Sequence, residues 1–253
     1  MQPEKQDLHS YYRLDASALS GFLTEPFQKN IPTLAPTALP QAGGFAAART
    51  GAFNLDELVS ASSAYTLVTA RRSEDGSTLA LATAVIEDLN ILEIVTARRI
   101  VAQITVTLPK VDPAGNPKGN EPRRISLAGS RFEGLRIAGH DGVARLSRAL
   151  QPVDGGGDSK LPLLWRDFLK EDEKPARLPG SLVESFEGPE GNLWGGHIIK
   201  IPGYGEIILG QLDVTHESVQ LISIRAVLGC QVTGVVTGPT PMISGGGASG
   251  GDH

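Results

Sequence analysis

Leu89-Asn90-Ile91-Leu92-Glu93-Ile94-Val95-Thr96-Ala97, continued by Arg98-Arg99-Ile100-Val101-Ala102-Gln103-Ile104-Thr105-Val106-Thr107-Leu108, is the stretch on which the fold turns. From position 100 the residues alternate: Ile100, Ala102, Ile104, Val106 and Leu108 form a nearly pure apolar row, and Arg99, Val101, Gln103, Thr105 and Thr107 form the opposite one. A period of two belongs to a β-strand with one buried face, and the abundance of Ile, Val and Thr disfavours a helix. Burying each large aliphatic side chain of the row is worth about 1.5–3 kcal/mol, which predicts a strand central to a core.

The same stretch has a counterpart 36 residues upstream. Phe53-Asn54-Leu55-Asp56-Glu57-Leu58-Val59-Ser60-Ala61 matches Leu89 to Ala97 in chemical character at eight of nine positions, Asp56 against Leu92 being the exception. Each copy reads as a small-residue strand, a bend through the Asn and a second strand, and self-similarity at a fixed spacing predicts a repeated supersecondary unit. Phe132-Glu133-Gly134-Leu135-Arg136-Ile137-Ala138-Gly139 is a third, shorter echo.

Working outward, Leu14, Ala16, Ala18 and Ser20 alternate on a strand that Gly21 is expected to break. From Glu25 to Gly44, prolines at 26, 32, 36 and 40 predict an extended linker along the surface of the first module. Val111 to Pro122 reads as a long hairpin loop, and Leu161 to Lys170 as a short helix in a linker, with Leu164, Trp165, Phe168 and Leu169 on one side. Leu193–Ile201, Gly205–Val214 and Val219–Leu228, separated by turn residues, predict a β-meander, and the run from Ser244 to His253 predicts a flexible tail. The expected organisation is therefore a repeat-containing β module over 9–150, a linker with the helix over 151–180, a meander module over 181–238 and a tail over 239–253. The fold class is mainly β: an antiparallel β-sandwich or related multi-strand architecture.

Composition agrees, since 30 Gly and 17 Pro against 7 Phe, 4 Tyr and 2 Trp in 253 residues favour many short elements joined by turns. The net charge of −5 comes from mixed signs, without the basic stripe interleaved with aromatics that nucleic acid requires. No stretch reaches the roughly 18 apolar residues of a membrane helix, and the start has no apolar leader segment. Cys230 is the only cysteine, so no intramolecular disulfide forms; after Gly229 at the end of an apolar strand it reads as a buried small hydrophobe.

Catalytic templates find no start. The histidines at 9, 140, 197, 216 and 253 lack metal-ligand spacing, and His140-Asp141-Gly142 and Asp213 with His216 and Glu217 read as polar turns. Glu184 and Glu187, three apart, fall on opposite faces of a strand, which defeats paired acid and base work. No nucleophile elbow is present, and the glycine runs at 155–157 and 245–247 lack the residues of a phosphate loop. No catalytic, metal or cofactor residue is expected.

Taken together, FNLDELVSA, TAVIEDLNILEIVTARRIVAQITV and ISLAGSRFEGLRIAG resemble the bacterial surface proteins named choice-of-anchor P, over residues 10 to 145. The resemblance implies an extracytoplasmic bacterial β protein without assigned activity, and it carries over no catalytic residues. The chain departs from that pattern in lacking a leader and an anchor segment. Three readings follow: a structural or interaction protein of the bacterial envelope or exterior; a glycan-binding β module with Trp194, Tyr204 and Trp165 as stacking platforms; and an enzyme with a scattered His/Asp metal site. Protein or glycan partners fit the first two; oligomeric state and compartment stay open.

Overall fold

A computed structural model describes residues 13–39, 44–72, 77–108, 124–150, 178–188, 191–196, 198–214 and 218–230. The loop expected over 111–122, the helix over 161–170 and the tail lie outside these residues. The described chain is almost entirely strand, with one 3-10 turn at Arg148–Leu150.

A meander forms the first sheet. Its strands are β4 (Gly44–Thr50), β5 (Phe53–Leu55), β6 (Val59–Ala61), β7 (Ser63–Arg72), β8 (Thr78–Ile91), β9 (Val95–Leu108), β10 (Arg124–Ser126), β11 (Arg131–Glu133), β12 (Arg136–Ile137) and β13 (His140–Asp141). β4 pairs with β7, β7 with β8 and β8 with β9, and β9 is flanked on its far side by β10, β11 and β12. The central row is buried as its alternation predicts: Ile100, Ala102 and Ile104 are fully buried and Val106 is 1% exposed.

The second sheet joins the two ends of the chain. β1 (Arg13–Leu23) pairs antiparallel with β2 (Lys29–Leu34) and β3 (Thr37–Ala38), and parallel with β20 (Ser218–Leu228). β20 pairs with β19 (Gly205–Val214), which is flanked by β15 (Leu178–Ser181) and β18 (Ile199–Ile201). A third, small sheet holds β14 (Val143–Leu146), β16 (Val183–Gly188) and β17 (Gly191–Gly195). β1 and β20 pack across β7, β8 and β9, so the first two sheets form a sandwich.

Four expectations are corrected. The boundary at 151–180 does not separate two modules, because β1 takes its parallel partner from β20 and both apolar clusters draw residues from both sides of it. β1 runs through Gly21 to Leu23, with an irregularity between Leu19 and Gly21 absorbing the break. The proline-rich stretch contains β2 and β3 because both are edge strands, where a proline costs no ladder hydrogen bond on the solvent side. Leu193–Ile201 divides between β17 and β18, in different sheets.

The buried parity switches at one level in each sheet. In β8 the inward residues are Ala80, Ala82, Ala84 and Ile86, then Leu89 and Ile91; in β9 they are Val95 and Ala97, then Ile100 onward. Asp88 and Arg98 are the supernumerary residues, and because both strands carry one, Glu87↔Arg99 is followed by Leu89↔Ala97 with register kept. In the second sheet Leu14 and Ala16 give way to Leu19 and Leu23, Val219 and Leu221 to Ile224 and Ala226, and Leu212 to Leu209 and Ile207. Gly210 sits at that switch with φ +59, and a Cβ there would lie 2.8 Å from the side chain of buried Leu182.

Candidate functional site

The stretches aligned 36 residues apart fold into hairpin ends of like geometry. Asp56 and Glu57 have φ of 50° and 62°, and Leu92 and Glu93 have 54° and 57°, the left-handed pair that a type I′ turn requires. Each turn closes by the same bond, Leu58 N–H to Leu55 carbonyl (2.8 Å) and Ile94 N–H to Ile91 carbonyl (2.9 Å). In each, the Asn side chain caps the turn: Glu57 N–H donates to Asn54 Oδ1 (2.7 Å) and Glu93 N–H to Asn90 Oδ1 (2.8 Å). The turns also stack, with Leu92 N–H donating to Leu58 carbonyl and Ala138 N–H to Ile94 carbonyl, both at 2.7 Å. Ala138 and Gly139 turn the third hairpin, and Leu135-Arg136-Ile137 there stands where Leu89-Asn90-Ile91 stands in the second.

On the outer face of the meander, one cross-strand row brings Ser63, Glu87, Arg99 and Glu133 side by side on β7, β8, β9 and β11. Ser63 Oγ donates to Glu87 Oε2 (2.8 Å), Arg99 Nη2 donates to the Tyr65 hydroxyl (3.4 Å), and Arg99 Nε lies 3.5 Å from Glu87 Oε1. Glu133 accepts from Arg98 Nη2 (2.9 Å) and Arg131 Nε (2.7 Å). The Arg131 hydrogen bond, with the positive charges of Arg98, Arg131 and Arg99, holds the Glu133 carboxyl below the usual carboxylate range. The bond to Tyr65, followed by the charges of Tyr65, Glu87 and Glu133, holds the Arg99 guanidinium above its ordinary value. Sequence reasoning passed over this row because it depends on cross-strand register; the signal available was Arg98-Arg99 flanked by Glu87 and Glu133.

Of the three stacking residues predicted, Tyr204 alone has a described side chain. Pro202 and Gly203 (φ +79) form the tight turn that joins β18 to β19, with Tyr204 N–H donating to Ile201 carbonyl (3.0 Å). Gly229 N–H in turn donates to Tyr204 carbonyl (2.7 Å). Tyr204 is 37% exposed and borders an open cleft of about 540 Å³ with Thr24, Lys200, Glu206, Val227 and Cys230. Lys200 and Glu206 face each other across the β18–β19 ladder. The cleft is therefore lined by an aromatic side chain together with a cation, a carboxylate and a hydroxyl. Trp194 lies on β17 opposite Phe186, in a different sheet from Tyr204, and Trp165 lies outside the described residues. Cys230 is exposed rather than buried, because β20 ends at Leu228 and Cys230 falls at the rim of this cleft.

The remaining candidates resolve as follows. His140 and Asp141 form β13, beside the turn at Ala138-Gly139. Glu184 and Glu187 each pair with an arginine, Arg148 at 3.5 Å and Arg145 at 2.5 Å. Asp213 is buried on β19 and accepts from Gln211 Nε2 (3.2 Å). His9, His197, His216, Glu217 and His253 lie outside the described residues, and among the described residues no three His, Cys, Asp or Glu side chains gather as a metal site.

These features define an all-β sandwich with a hairpin meander on one side. Residues 10–153 match the family described as a domain of unknown function, DUF8256, and the chain belongs to that family. No curated protein and no solved structure matches it. The matched segment includes β1 but stops before β19 and β20, the strands that complete β1's sheet.

Proposed function

We propose that the chain is a non-enzymatic structural or interaction protein of the bacterial envelope or exterior. The observation that carries this reading is the charged row on the outer face of the meander. Glu87, Arg98, Arg99, Arg131 and Glu133 engage one another across three successive strands, so their charges serve strand-to-strand cohesion. The stacked hairpin ends add a second regular surface, and the likeness of residues 10–145 to choice-of-anchor P surface proteins supports the location. Fractionation of the native bacterial host, with protease treatment of intact cells, tests it. The protein is expected in the envelope or medium and open to protease; retention in the cytoplasm overturns the reading.

The Tyr204 cleft favours a second reading, a glycan-binding β module. Aromatic faces beside hydrogen-bonding side chains suit sugar rings. Binding of the full chain to a glycan array, lost at least tenfold in Tyr204→Ala, would support it, and equal binding by both proteins would sink it.

A further inference from the structure

We infer that β4 is a self-pairing edge, through which two copies of this chain join their meander sheets antiparallel about a twofold axis at Ala47. Edge strands expose unpaired N–H and C=O groups, and folded proteins blunt them with prolines, bulges, extreme shortness or charged side chains. The other edges described here carry such devices. β2 contains Pro32 and a register shift, β15 contains Pro179, β3 and β13 are two residues long, and β18 is three residues long and followed by Pro202. The small sheet ends in β17, whose pairing is also broken by a register shift. Of these, β4 carries only a charge, Arg49, which self-pairing sets against an aromatic ring rather than a like charge. It is seven residues long, free of proline, and paired with β7 without interruption from Gly44↔Ala70 to Thr50↔Ala64.

The occupant follows from the strand's own chemistry. Antiparallel pairing centred on Ala47 sets Ala47 against its twin, Ala46 against Ala48 of the second copy and Phe45 against Arg49. On the outer face, Phe45 is 72% exposed and Arg49 is exposed, so each end of the joint would place a guanidinium over an aromatic ring. On the inner face, Ala46 and Ala48 pack against the two apolar clusters yet stay partly exposed, so the core reaches this edge without being closed there. A second β4 would extend both clusters across the joint, and its alanines leave room for the strands to approach. Self-pairing supplies a partner for the interaction role proposed above and rests on that reading. Its test measures oligomeric state, whereas fractionation measures location, so either can fail alone.

Light scattering on the full-length chain across a dilution series is expected to show a dimer. Ala47→Lys, which sets two ammonium groups face to face at the axis, is expected to weaken the dimer at least tenfold while leaving the circular dichroism spectrum unchanged. Directly opposed residues on antiparallel strands lie about 4.5–5.5 Å apart between Cα atoms, within the roughly 4.4–6.8 Å span of a disulfide. In a Cys230→Ser background, Ala47→Cys is therefore expected to cross-link on mild oxidation, and Arg225→Cys, exposed on β20, to dimerise without cross-linking. A chain monomeric at every concentration overturns the proposal, as does a dimer indifferent to Ala47→Lys or one in which position 47 fails to cross-link.

Discussion

The two sheets of the sandwich are assembled on different principles. The meander grows by hairpins between neighbours in sequence, closed by type I′ turns at Asp56-Glu57 and Leu92-Glu93. The second sheet is closed by β1 and β20, in which Arg13 pairs with Ser218 and Leu23 with Leu228. One sheet is a product of local chemistry, and the other needs the whole chain before its central pair exists. Loop-closure entropy opposes such long-range pairing until the contacts it brings have formed. The shared core is what reconciles them, since Leu19, Ile224 and Leu228 belong to the same buried cluster as Ile86, Ile91 and Ile100.

The severest way to break this comparison is to cut the chain where the sequence suggests a boundary. A fragment covering 151–253 retains β15 through β20 but loses β1, the parallel neighbour of β20, and with it the cover over Ile224, Ala226 and Leu228. It is expected to be unfolded by circular dichroism and by the spread of its amide proton resonances. A folded, cooperatively melting fragment would show that the second sheet stands without its first strand.

Point substitutions in the core come next. Ile100→Ala in the meander and Ile224→Ala in the second sheet each remove a fully buried side chain and should each cost about 2–5 kcal/mol in urea unfolding. Because one cluster contains both, each is expected to move a single transition monitored by any probe. Two separable transitions, each sensitive to one of the substitutions, would mean that the sheets are energetically independent.

What the sequence disclosed follows the same division. The buried row from Ile100 to Val106 and the strands expected over 205–214 and 219–228 were legible because alternation and turn residues are local signals. The partnership of β1 and β20 was not, since no periodicity at Leu14 to Ser20 reports a strand some 200 residues away. The strand character of the proline-rich stretch was hidden for a related reason. Pro32 is compatible with a strand only at a sheet edge, and edge position is a property of the assembled sheet. At the candidate site, Tyr204 was legible as an aromatic on a turn, but the cleft beside it depends on Thr24 and Val227, brought there by β1 and β20.

The parity switch sharpens the comparison at a smaller scale. In the second sheet it rests on Gly210 in the left-handed region against Leu182, so Gly210→Ala should cost about 1–3 kcal/mol through strain and the displaced leucine. In the meander it rests on Asp88, exposed at φ 49°, a conformation that aspartate tolerates, and Asp88→Gly should leave stability almost unchanged or slightly raised. The turn caps fall below Gly210. Asn54→Ala and Asn90→Ala each remove one side-chain acceptor from a turn N–H and should cost about 0.5–1.5 kcal/mol apiece, measured by urea unfolding. Nearly equal costs would express the likeness of the two hairpin ends, and a large cost at one alone would break it.

The smallest expected effect concerns the charged row, the device that ties meander strands laterally where the second sheet relies on apolar cover. Glu133 has its folded pKa lowered by Arg131, Arg98 and Arg99, so its ionised form favours the folded chain. An unfolded glutamate titrates near about 4.3, so this contribution is fully present above that value. It fades as pH falls through the lower folded value, where protonation removes the carboxylate from its arginines. The Tm of the parent should therefore exceed that of Glu133→Gln by a small, constant margin from neutral pH down to about pH 5, and the margin should close on further acidification. Added salt should narrow it at neutral pH, because the row is open to solvent and its attractions are screened. A margin that instead grew on acidification would mean that Glu133 is held in place by its neutral form, and the row would lose its role as an electrostatic tie between β9 and β11.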